Sequence, residues 1–198
     1  MSKYYYHATY DLLSFIDILK DGSIKCLRLL ENTTINDLDK LAFNGLDYIC
    51  LCNKLVNYED IFGDSSFEQF ILDSFCFVVS NKIDVVKPKV ISWHDFYEYM
   101  AIREKLYNDK KQNLHVSTYA DEYRTKDKIT IDNILGIGLP LEKKYTKEEL
   151  VLLRQSLTLV RSFGLDIVDS SDEYFIEKYE SRKYNKEEIK QKIKGLGL

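Results

Sequence analysis

Histidine is scarce in this sequence, with three in 198 residues, and cysteine is limited to Cys26, Cys50, Cys52 and Cys76. A structural zinc site needs paired Cys or His ligands at set spacings, and the lone Cys50-Leu51-Cys52 has no His or second Cys pair beside it. Three of the four thiols sit in apolar runs, so they are expected as free, buried, core-like residues in a reducing compartment. Positive charge is also short: 28 Lys and Arg stand against 32 Asp and Glu, a net charge of −4. That excludes the strongly basic footprint of non-specific nucleic-acid binding, though not contact with one particular RNA or DNA. No run approaches the ~18 apolar residues of a membrane span, and the start from Met1 to His7 carries no apolar signal region. No internal repeat or low-complexity linker is found. The expected location is the cytoplasm, with no membrane contact.

What is present suffices for a folded core. Hydrophobic residues make up 45% and charged residues 30% of the chain, and aromatics 13%, with 15 Tyr among them. The length fits one domain. Residues 4–9 read as a strand. Residues 11–20 read as a helix capped by Asp11 and stopped at Asp21-Gly22. Strands are expected at 23–28, 46–52 and 74–80, the last apolar enough to be central, with one or two more within 115–125. Residues 129–139 read as a strand or loop leading into a strand that ends at Pro140. Helical character is expected at 32–43 and 92–111, with Asn44-Gly45 as a turn and short helical pieces within 53–70. Beyond Pro140 the pattern changes. Thr146 and Glu149 form a capping box for a helix over 146–163 that Gly164 ends, 165–168 is a short strand, and 171–194 is charged and helical. The organisation is therefore a mixed α and β body at 1–140 and a mostly helical C-terminal extension at 141–198 packed on it.

Three stretches carry the chemistry: Tyr6-His7-Ala8-Thr9, the segment from Tyr48 to Tyr58, and Asp121-Glu122-Tyr123. Each has a bland reading alone: a structural strand histidine, core aromatics, an exposed strand carboxylate. Taken together they describe a site. A carboxylate and an imidazole in one cleft hold ribose hydroxyls, and the carboxylate stabilises positive charge developing on a sugar carbon. Two tyrosines can place rings on both faces of a flat heterocycle. A side chain as small as that of Ala8 leaves the main chain open to a ligand amide. Those requirements suit a nucleotide carrying a planar, positively charged leaving base.

The first stretch, followed by a helix and Asp-Gly, resembles the Tyr-His-Gly-Thr and Trp-His-Gly-Ser starts of ADP-ribosyltransferases of the diphtheria-toxin-like and poly-ADP-ribose-polymerase-like type. The segment Tyr48 to Tyr58, with Lys54 between, is similar to the family's tyrosine pair. Asp121-Glu122-Tyr123 resembles its Asn-Glu-Tyr segment, and the order His, Tyr, Glu is that of the H-Y-E subgroup. The resemblance covers roughly residues 4–140 through these short motifs alone. It implies an α+β fold with a split β-sheet core, peripheral helices and the helical extension. It implies NAD as substrate, no metal, and Glu122, His7 and Tyr48 as catalytic residues. His7 would bind the adenosine ribose, Ala8 would offer its backbone to the nicotinamide carboxamide, and Thr9 would support the loop. Tyr48 and Tyr58 would sandwich the nicotinamide ring, and Glu122 would bind the nicotinamide ribose and oppose the oxocarbenium-like charge. His7 and Glu122 are thus expected to face each other across one groove, and Glu122→Ala to slow the chemistry with little effect on folding. Ala8 replaces the usual Gly. Ala120 stands where arginine-modifying members carry an acidic or amide residue, which disfavours arginine as acceptor.

The implied activity is transfer of ADP-ribose to a macromolecular acceptor, protein or nucleic acid, by a bacterial or phage effector, toxin or defence protein. Water as acceptor would make the protein an NAD glycohydrolase. An RNA phosphotransferase of the same fold ranks lower, because that family gathers several Arg and His residues around its phosphate. The alternative from another class is an inactive transferase-like module that binds a nucleotide or a protein partner. The charged tail is most simply a solvated helical face, and its other use is contact with a protein partner.

Overall fold

The computed structural model describes residues 4–9, 11–26, 48–52, 74–90, 116–117 and 122–198. Its centre is a six-stranded sheet in the order β10-β9-β4-β1-β3-β7. These strands are β1 (Tyr4–Thr9), β3 (Ile49–Cys52), β4 (Phe75–Ser80), β7 (Glu122–Thr125), β9 (Ile134–Leu139) and β10 (Asp166–Asp169). All neighbours are antiparallel except β10 on β9. Two small pairs complete the strands: β2 (Ser23–Ile24) with β8 (Ile129–Thr130), and β5 (Lys89–Val90) with β6 (Val116–Ser117). The helices are α1 (Leu12–Asp21), α2 (Lys147–Ser162), α3 (Phe175–Glu180) and α4 (Lys186–Gly195). The expected α+β class is thus the class found, with a mostly antiparallel sheet.

Local chemistry explains the element ends. Asp11 caps α1 by accepting from the Ser14 amide at 2.8 Å, and Gly22 closes it with φ 64°, a left-handed angle that glycine adopts without strain. In α2 the Thr146 hydroxyl and the Glu149 carboxylate each accept from the other's amide, the reciprocal box read from the sequence. The run 129–139 is, as expected, a short strand leading through a 3-10 turn (Ile131–Asn133) into β9. One expectation changes. The stretch 171–194 is not one helix: Arg182 takes φ 58°, and Asn185 caps a new helix by accepting from the Glu187 and Glu188 amides. The expected elements at 32–43, 53–70 and 92–111, and the turn at Asn44-Gly45, lie outside the described residues.

Every residue of β4 is buried, because helices cover both faces of the sheet. On one face α1 lays Phe15 on Phe75 and Phe77, with ring centroids 4.9 and 5.2 Å apart, and Leu153, Leu157, Val160, Ile189 and Ile193 extend that core. On the other, Phe175, Ile176 and Tyr179 of α3 cover Tyr6, Cys52, Cys76 and Val78. The extension therefore does more than pack on a finished body. Its β10 supplies a strand of the sheet, Asp166 to Asp169 against Gly136 to Leu139. Phe15→Ala, which empties a fully buried aromatic site, is expected to cost about 3–5 kcal/mol of stability, measured by urea unfolding.

Candidate functional site

The three motif strands are neighbours in the sheet, in the order β1, β3, β7. Tyr6 lies opposite Cys52, and Cys52 opposite Glu122, which is the first residue of β7. Side chains along a strand alternate between faces. Tyr6, Ala8, Cys50, Cys52, Glu122 and Arg124 thus share the face that α3 covers further along the sheet, where Tyr6 and Cys52 join the α3 core. His7 falls in the alternate register with Tyr5, Leu51 and Tyr123, and the Tyr5 and Tyr123 rings meet at 5.2 Å on that other face. His7 and Glu122 therefore sit on strands separated by β3 and leave them with opposite parity. The expected groove with both side chains on one face is not what this register gives, because Glu122 aligns with Tyr6 rather than with His7.

The two are linked through Cys50. Pairing of β1 with β3 is limited, among the described residues, to Tyr6 opposite Cys52. The next pair in that register would set Ala8 opposite Cys50. Instead, the His7 Nδ1 lies 2.9 Å from the Cys50 carbonyl oxygen. A carbonyl only accepts, so Nδ1 carries the proton and Nε2 is the acceptor in the neutral ring. Burial pushes the imidazole pKa below its ordinary 6.5, and the Cys50 contact opposes that only in part. Arg124 gives both main-chain groups to Val86, so Cys50 opposite it, and Cys52 two residues on, turn theirs toward β1. Tyr6 opposite Cys52 then faces β3, His7 faces β4, and the main-chain groups of Ala8 point toward β3.

On the Glu122 side, Arg124 Nε donates to Glu122 Oε1 at 2.7 Å, and the two side chains are only 6% and 5% exposed. They stand two apart on one strand, the spacing that puts both on one face. The half-buried Cys50, opposite Arg124 in the register, places its thiol beside both on the same face. Burial first, and then the Glu122 charge, push that thiol's pKa far up, so it stays protonated. The Arg124 main chain is fixed on its outer side by Val86, with bonds of 2.9 and 2.7 Å. Arg124 and Cys50 were not singled out by sequence. The available signal was the Glu122-x-Arg124 spacing in a strand expected to be paired.

The remaining expected residues divide. Thr9 is buried and its hydroxyl donates to the Phe75 carbonyl at 3.4 Å, which ties the end of β1 to β4. Tyr48 is not open for stacking: it precedes β3, is 4% exposed, and one ring face carries the Lys126 ammonium at 5.0 Å. Tyr58 lies outside the described residues. Among the described residues no cluster of three His, Cys, Asp or Glu side chains is arranged to hold a metal. Comparison with models of known protein families finds no match, and neither does comparison with curated proteins.

Two outcomes are expected. Glu122→Ala leaves a buried guanidinium without its counter-charge, so it should lose about 3–5 kcal/mol in chemical denaturation. This replaces the expectation that Glu122 could be truncated with little effect on folding. Nitrogen-15 NMR should find His7 neutral at pH 7 with its proton on Nδ1. Because its folded pKa is lowered, the unfolded state binds more protons below 6.5, so His7 contributes stability that is present above 6.5 and lost as the pH falls through its folded pKa.

Proposed function

We propose that the chain is an NAD-dependent ADP-ribosyltransferase of the H-Y-E type, with the split in its sheet lying between β1 and β3. The observation that carries the reading is the end of the β1–β3 ladder at Tyr6 and Cys52. There the Ala8 main chain and the His7 ring both face β3, and Glu122 begins the strand on the far side of β3. An amide N–H and C=O at Ala8 suit the nicotinamide carboxamide, and a neutral His7 with Nε2 as acceptor suits a ribose hydroxyl. As the bond from ribose C1′ to the nicotinamide nitrogen breaks, its electron pair neutralises the pyridinium. Positive charge grows on C1′, and the Glu122 carboxylate opposes it. The acceptor's nucleophile then bonds to C1′ and gives up its proton. The acceptor is a macromolecule, protein or nucleic acid. The biological role that goes with the resemblance is that of a bacterial or phage effector, toxin or defence protein.

A second reading rests on a specific observation. Glu122 is buried, ion-paired with Arg124, and of opposite strand parity to His7. A transferase-like module that binds a nucleotide or partner without turnover would tolerate that arrangement.

Incubation with labelled NAD and cell lysate, followed by protease or nuclease, tests both. For the transferase, nicotinamide is released and label stays on one macromolecular class. Glu122→Gln, which keeps the side chain's shape, should slow release by about 10²–10³-fold. His7→Ala should chiefly weaken NAD binding. Release without label transfer would make the protein a glycohydrolase. NAD binding with no release under any lysate would leave the binding module.

A further inference from the structure

We propose that Arg124 is a positioning residue for Glu122, setting the direction of its carboxylate through the Nε–Oε1 bond; this rests on the transferase reading above. Among the described ion pairs this is the one with both side chains almost fully buried; each of the others has at least one partner that is 24% or more exposed. A buried ion pair gives little net stability, since desolvation offsets the attraction, so its worth lies in the geometry it fixes.

That geometry has a fixed end and a held end. Arg124 is anchored by both of its main-chain groups, which bond to Val86, in a strand whose other edge pairs with β3. Glu122 stands at the strand's first residue and is held through its side chain by that anchored guanidinium. Fixing one carboxylate oxygen at 2.7 Å sets the plane in which the other faces. Cys50 lies opposite Arg124 on the same face, and the Cys50 carbonyl holds His7. Only Arg reaches Oε1 through Nε while its fork stays planar. Lysine keeps the charge without that geometry.

The test measures nicotinamide release by wild type, Arg124→Gln, Arg124→Lys, Glu122→Gln and the double variant Glu122→Gln/Arg124→Gln, with melting curves for each. Arg124→Gln should lower kcat about tenfold or more with KM for NAD within about threefold, and Arg124→Lys should recover part of the loss. The double variant should be no slower than Glu122→Gln alone, a coupling that a purely structural residue would not give. If Arg124→Gln does not fold, the Arg124→Lys and double variants carry the comparison. Wild-type release with unchanged kcat in the Arg124 variants, or additive losses in the double variant, overturns the inference and leaves the transferase standing. A wild type that releases no nicotinamide removes the transferase and this inference together.

Discussion

One imidazole–carbonyl contact decides how the first two motif strands meet. After Tyr6 pairs with Cys52, the β1–β3 ladder gives way to the bond between His7 Nδ1 and the Cys50 carbonyl. That substitution satisfies a carbonyl that would otherwise be left buried and unpaired, a loss of about 1–3 kcal/mol. It fixes the His7 tautomer, while the Ala8 amide faces β3. A single side chain thus takes the place of the next ladder contact between two neighbouring strands of one sheet.

Cys50 joins the two halves of that arrangement. Its carbonyl belongs to the His7 side and its thiol to the Glu122–Arg124 side, so one residue touches both although their side chains have opposite parity. The ion pair costs desolvation that a pair of apolar residues would not. Its presence at the first turn of pairing in β7 is understandable if direction matters there more than stability. Tyr48, by contrast, is spent on packing and on Lys126, which leaves the stacking role without support from that ring.

The elements that local chemistry dictates were legible in the sequence. Asp11 and Gly22 bound α1, Thr146 and Glu149 start α2, and the unbroken apolar run from Phe75 is the buried centre of the sheet. Elements set by tertiary context were not. The helix break comes at Arg182, whose guanidinium bonds to Asp166 and Tyr4, residues far from it in the sequence. For the candidate site, only the residue types were legible. Its parity was not, because a shift of one residue in register moves every side chain to the other face and no composition or spacing encodes that shift. The Glu122–Arg124 pair escaped notice for a related reason: alternating charges on a strand read as solvent-facing until the strand is known to be covered.

The placement of β10 has a temporal consequence. During synthesis at about 5–20 residues per second, all three motif strands leave the ribosome several seconds before Asp166–Asp169 and the Phe175–Tyr179 cover. Over that interval β9 lacks its outer neighbour, and the Cys76–Val78 surface is wet on the side that α3 later seals. A nascent chain therefore holds its chemically equipped strands in an unfinished sheet, and a cell making this protein meets the finished form only after the late-emerging segments have closed over it.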